Sequence, residues 1–144
     1  MAFAEEPHLQ YGDVAAAWFT FPAGMVIQWL QPTRATLDHA NYLVGPVYAQ
    51  LEARFPIHNA LTVVFDFELM TGRTSAARST LLGKAKQCAG RFTRGYVVLP
   101  RYASAAHLQG VRAGIAIGRA LGVNLEVADS AARAIAQANL HVAP

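Results

Sequence analysis

From about residue 61 onward the chain alternates short apolar runs with stretches of helical period. That alternation restricts the fold more than any other feature. The clearest stretch is Leu61 to Leu82, LTVVFDFELMTGRTSAARSTLL. Thr62 to Phe67 are β-branched or aromatic except for Asp66, and so short a run reads as a buried strand. Asp66 falls near the carboxyl end of that strand, where open α/β sheets gather ligands and partners. Thr74 and Ser75 are good N-cap types. Ala77, Leu81, Ala85, Cys88 and Phe92 then recur at three and four, predicting a helix from about Ser75 to Phe92.

Gly95 opens the next strand, Tyr96 to Leu99, which Pro100 stops. A helix follows from about Ala103 to Leu121, with Leu108, Val111, Ile115, Ile117 and Leu121 on its apolar face. Leu125 to Val127 is a short last strand. Asp129 or Ser130 caps a final helix through about Leu140, with Ala132, Ile135 and Ala138 facing inward. Such alternation predicts parallel neighbours joined by right-handed crossovers.

The N-terminal part has a different pattern. Met1 to Pro7 reads as a loose start, His8 to Tyr11 as a short strand and Gly12-Asp13 as a hairpin signal. Val14 to Phe21 and Met25 to Leu30 are strands split by Pro22-Ala23-Gly24, which makes an antiparallel meander. Thr33 or Thr36 caps a first helix carrying the stripe Leu37, Ala40, Val44, Val47, Leu51 and Phe55. Pro46 lies inside it, removes one backbone donor and is expected to kink it near Tyr42 or Leu43. The predicted fold class is α/β: a single domain over residues 1–144, with a mostly parallel central sheet of four to five strands, N-terminal antiparallel strands and about four helices.

The third helix of this scheme carries Gly110, Gly114 and Gly118 at intervals of four, with Gly122 following. Each interior glycine costs a helix about 1 kcal/mol relative to alanine. Together they form a smooth ridge that admits a close neighbour. The ridge serves close packing, a dimer contact or the wall of an apolar pocket.

The net charge of +3 hides an asymmetry. Before Met70 there are seven acids and only two bases, Arg34 and Arg54; after it there are ten bases and two acids, Glu126 and Asp129. A basic second half fits an acidic protein, a phosphate or an anionic surface. The bases are spread along helices without the clustered footprint of a nucleic-acid binder. No apolar run is long enough to span a bilayer, and no basic cluster marks a leader at the N-terminus. Cys88 is the one cysteine, on an inward helix face, which points to a reducing cytoplasm.

Catalytic signatures are missing from the sequence. It has no Gly-x-Ser-x-Gly elbow, phosphate loop or dinucleotide fingerprint. His8, His39, His58, His107 and His141 lack metal-ligand spacing. The expectation is therefore no cofactor, no metal and no enzymatic activity.

Val63-Val64-Phe65-Asp66, then Thr74-Ser75-Ala76-Ala77 eight residues on, then Leu81-Leu82 resemble STAS-type domains, the anti-sigma-factor-antagonist fold. They also resemble the wider bacterial group of small STAS-like and lipid-transfer-like domains. Members read as an apolar strand ending in Asp, a short loop, Asp-Ser-Ser-Gly and a helix with a Leu pair. Here Thr74 stands in place of the Asp and Ala77 in place of the Gly. The likeness extends over about the last 85 residues. It implies a regulatory, protein-binding module in signalling, with Ser75 at the place of the serine that partner kinases phosphorylate.

Two kinds of binding follow. In the first, Ser75 and Thr74 are the phosphorylation switch, and Asp66, Arg73, Arg78, Lys84 and Arg91 meet a protein partner, a regulator or kinase. A phosphate on Ser75 would lie at a helix N-terminus beside Arg73 and Arg78. In the second, a small amphiphile lies in a cavity walled by the glycine-ridged helix and the aromatics Trp18, Phe19, Phe21, Trp29 and Tyr42. If the ridge or the first strand pairs two chains, a twofold homodimer is the simplest assembly.

Overall fold

The structure is a computed structural model and describes residues 1–57 and 60–144. His58 lies outside the described residues. Strands β1 (Leu9–Tyr11), β2 (Ala15–Phe21) and β3 (Gly24–Trp29) form the expected antiparallel meander. From β3 onward the main sheet is parallel: β3, β5 (Leu61–Asp66), β7 (Phe92–Val98) and β8 (Asn124–Ala128) lie side by side in that order. The described residues are thus α/β with a mixed, mostly parallel sheet and four helical rods.

The first rod joins α1 (Leu37–Tyr42) and α2 (Tyr48–Arg54) through a π-helical segment, Leu43–Val47, that contains Pro46. The wider turn accommodates the missing proline donor where the sequence placed the disturbance. Thr36 is its N-cap, and Leu37 is exposed rather than part of the inward stripe. The other rods are α3 (Ser75–Cys88), α4 (Ala105–Ala120) and α5 (Ala131–Ala138), capped by Thr74, Ser104 and Ser130.

Three successive crossovers move in one direction along the sheet, so their helices share one face. There Val47 and Leu51 pack on Phe19, Met25, Ile27 and Val63, and Val111 and Ile115 pack on Val97. The opposite face is covered by α5 and the first residues: Ala134 and Leu140 meet Trp18, Val26, Val64 and Tyr96, with Phe3 at their edge. β2 and β3 are therefore buried on both faces and read as near-continuous apolar runs.

Several expectations are corrected. Residues 1–7 are not loose: Trp18 Nε1 donates to the Glu5 carbonyl at 3.0 Å, and the Ala2 amide donates to Gln28 Oε1 at 2.6 Å. The helix after Ser75 stops at Cys88, and Phe92 already begins β7. In α5 the buried residues are Ala131 and Ala134, while Ala132 is exposed. A short strand β9 (His141–Val142) returns to pair with β2 at Thr20 and Phe21, beyond the end of β1. His8 fills the gap between these two short strands, accepting from the Phe19 amide through Nδ1 and reaching the Ala143 carbonyl through Nε2 at 2.9 Å.

The main surprise is a second, two-stranded parallel sheet. β4 (Thr33–Ala35) pairs with β6 (Met70–Arg73), two segments without a strand pattern in the sequence. It lies just after the carboxyl ends of β3 and β5 and sets the N-terminus of α3, since the Thr74 amide donates to the Ala35 carbonyl at 3.0 Å.

Candidate functional site

Two concavities lie around the start of α3. The first is a cleft of about 430 Å³ at the polar end of the small sheet. The pairing of β4 with β6 brings Arg34 beside Gly72 and Arg73, and the first turn of α3 adds Ser75 and Arg78. The first turn of α4 closes the other side with Ser104 and His107. Thr74 accepts from the Ala77 amide and Ser104 from the His107 amide, so each helix has one amide capped by its own side chain.

The electrostatics of this cleft are one-sided. Among the described residues no carboxylate lines it, and Arg34, Arg73 and Arg78 form no ion pair. Burial, and then the neighbouring charge of Arg78, lower the Arg73 pKa from its ordinary value. His107 is buried, and its Nε2 has no hydrogen-bond partner among the described residues. Burial, and then Arg73, hold its pKa below the usual imidazole value.

This gives a pH prediction. A histidine held below its unfolded pKa of about 6.5 contributes stability that is complete above that pH. The contribution is lost as pH falls from there toward the lower folded value, because the unfolded chain takes up the proton first. Arg73, Arg78 and Arg34 are the charged groups of the surrounding elements that line the same cleft. Chemical unfolding at pH 7.5 and 5.5 is expected to show a smaller acid-side loss for His107→Gln than for the parent. An equal loss in both would remove His107 as its source.

The second concavity is apolar, with a volume of about 220 Å³, between the sheet face and helices α3 and α4. Phe65, Phe67 and Val97 form its floor, and Leu81, Cys88 and Ile115 are among its walls. It exceeds the engineered apolar cavity of about 150 Å³ that stays dry and takes up benzene. α3 stands off the sheet: Ala77 is its one buried residue, and Leu81, Leu82 and Cys88 are only half-buried. Burial is the largest influence on the Cys88 thiol and pushes it up, so it is a poor nucleophile.

The three ridge glycines of α4 meet three different surroundings. A Cβ at Gly110 would lie 2.9 Å from Arg73 Nη2, so the missing side chain makes room for a guanidinium. One at Gly118 would lie 2.4 Å from Leu125 Cδ1. One at Gly114 would meet nothing within 4 Å, because it opens onto the cavity. Close packing and pocket wall are thus both present on one ridge.

The structure brings Arg73, Thr74, Ser75 and Arg78 together in the polar cleft, with Ser75 exposed. It keeps the other candidates apart. Asp66 is 4% exposed and accepts from Gln28 Nε2 at 2.9 Å and the Glu68 amide at 3.1 Å, so its carboxylate is engaged internally. Lys84 Nζ sits over the Tyr48 ring at 4.1 Å, and Arg91 pairs with Glu52 at 3.6 Å. Trp18, Phe19 and Trp29 fill the core, Phe21 is exposed, and neither these nor Tyr42 lines the apolar cavity. The residues the sequence did not single out are Arg34, Ser104 and His107.

No family model, curated protein or solved structure significantly matches the chain. Among the described residues no group of three or more His, Cys, Asp or Glu is placed to hold a metal ion, and no helix is long and apolar enough to cross a membrane.

Proposed function

We propose that the protein is a non-enzymatic, STAS-like binding module whose ligand is a small apolar or amphiphilic molecule held beneath α3 and α4. The observation that carries this reading is the apolar cavity of about 220 Å³. The concavity is open on one side, so its apolar lining faces water, which an aliphatic occupant would displace favourably. The half-buried apolar residues of α3 would become fully covered in the loaded state.

Native mass spectrometry of protein extracted mildly from its own host tests this. The expected result is a retained single-chain adduct, or uptake of one equivalent of added decanoate by the empty protein. An empty mass together with no decanoate uptake would reject the reading.

A second reading draws on Ser75. Its hydroxyl is exposed in the first turn of α3, in a cleft lined by Arg73 and Arg78. A phosphate there would gain charge-assisted hydrogen bonds and replace a cationic surface with a compensated one. On this reading the module engages an acidic protein partner only while Ser75 is unmodified. Intact-mass analysis of host-purified protein is expected to show one added phosphate mapping to Ser75. A uniformly unmodified chain would leave the ligand-binding reading alone.

A further inference from the structure

The polar cleft carries an inference that does not depend on the apolar cavity. Arg34, Arg73 and Arg78 reach it from three elements, β4, β6 and α3, and among the described residues no acidic one lines it. Like charges gathered this way repel, and such an arrangement is stable only at a cost unless an anion lies among them. The cleft is also where two helices of 14 and 16 residues begin. In each, the cap side chain bonds the third amide, leaving the first two amides of the helix without an intrahelical partner. Those amides and the positive helix ends favour negative charge.

A helix start is common, and most bind nothing. Two further features mark this one. His107 lines the cleft, is more than nine-tenths buried, and has an Nε2 without a partner among the described residues. A buried ring nitrogen with nothing to bond is costly. Arg73 is packed against the backbone of α4 at Gly110, where any side chain would displace its guanidinium. A guanidinium thus lines the same cleft as an unsatisfied ring nitrogen.

We propose that this cleft binds a phosphate monoester dianion. Three guanidinium forks, the free amides of two helices and the imidazole present more donors than the two oxygens of one carboxylate accept. A tetrahedral phosphate offers acceptors in several directions at once. Bound there, it pairs with the arginines and gives the His107 nitrogen an acceptor once that nitrogen carries a proton. Arg73 lines both the cleft and the apolar cavity. The phosphate therefore belongs either to a soluble ester or to the head of a single-chain amphiphile whose tail enters the cavity.

Calorimetric titration of the intact chain with inorganic phosphate, and separately with decyl phosphate, tests the site. Both are expected to bind, more weakly as salt is raised. Arg73→Gln combined with Arg78→Gln is expected to weaken both by about tenfold or more, the scale of a lost charged hydrogen bond. Arg34→Gln, at an exposed position, should weaken both without disturbing the fold, so the test does not hang on the half-buried Arg73. Decyl phosphate binding tighter than inorganic phosphate assigns the amphiphile source, and equal affinity assigns the soluble ester. No phosphate binding, or binding untouched by every arginine substitution, overturns the site. Decanoate uptake surviving in that case would show that the apolar cavity stands without it.

Discussion

Replacing Gly114 by leucine is expected to raise stability and weaken uptake of an apolar ligand at the same time. A Cβ at this position meets nothing within 4 Å, and the residue lines the apolar cavity. Exchanging glycine for leucine within a helix gains roughly 0.8 kcal/mol from backbone propensity. Burying the leucine side chain adds up to about 1.5–3 kcal/mol. The same atoms occupy the volume an aliphatic chain would take. Overfilling a packed space costs about 1–3 kcal/mol, so decanoate affinity should fall roughly ten- to hundredfold. Thermal unfolding and calorimetry on one pair of proteins read both effects. The opposite signs make the test sharp, because a variant that merely misfolds loses both. Lower stability with unchanged binding would show that Gly114 does not face the ligand.

Replacing Gly24 by alanine is expected to cost more than about 3 kcal/mol, above the usual range for overpacking. A Cβ on Gly24 would lie 2.0 Å from the Thr62 carbonyl oxygen and 2.9 Å from its carbon. Both atoms are backbone, so no side chain can swing away. Gly24 and Thr62 are register partners at the start of the β3–β5 pair, where the sheet changes from antiparallel to parallel. Relief requires the strands to part at that junction, and the Thr62 amide then loses the Ala23 carbonyl it bonds at 3.1 Å. A domain with a total stability of about 5–15 kcal/mol would be left marginal or unfolded. Urea titration followed by tryptophan fluorescence reads this directly, since Trp18 and Trp29 are both buried. A midpoint within error of the parent would mean that the two strands are not paired in this register.

The parallel half of the fold was legible because its strands are apolar runs and its helices carry a 3.6-residue period. Its boundaries were less so. Phe92 continues the period of α3, yet it belongs to β7 because the Ala89–Arg91 turn breaks the helix first. The small sheet was invisible for a different reason. Thr33–Ala35 and Met70–Arg73 are three and four residues long, and the latter contains a glycine. Neither carries an alternating pattern, and each is a strand only because the other lies beside it.

The site divides the same way. Arg73, Thr74, Ser75 and Arg78 are near neighbours in sequence, so their grouping could be read directly. Arg34 arrives through the small sheet and His107 through the start of α4, and neither has a local signal. Asp66 illustrates the limit of strand-end reasoning. It sits where ligands usually gather, but its carboxylate holds Gln28 on the next strand and the turn that follows.

The two margins of the main sheet differ in a way that bears on self-association. On one side the outer row is broken into β1 and β9, three and two residues long, with the His8 ring between them. Neither segment is long enough to template an incoming strand. The other margin, β8, is five residues and unbroken. A second chain that added itself there would have no other unbroken margin of the main sheet, among the described residues, to offer a third. Were β8 to pair with its own copy, the twofold axis would use up that margin on both chains, so the main sheet would close as a pair and not extend into a fibre.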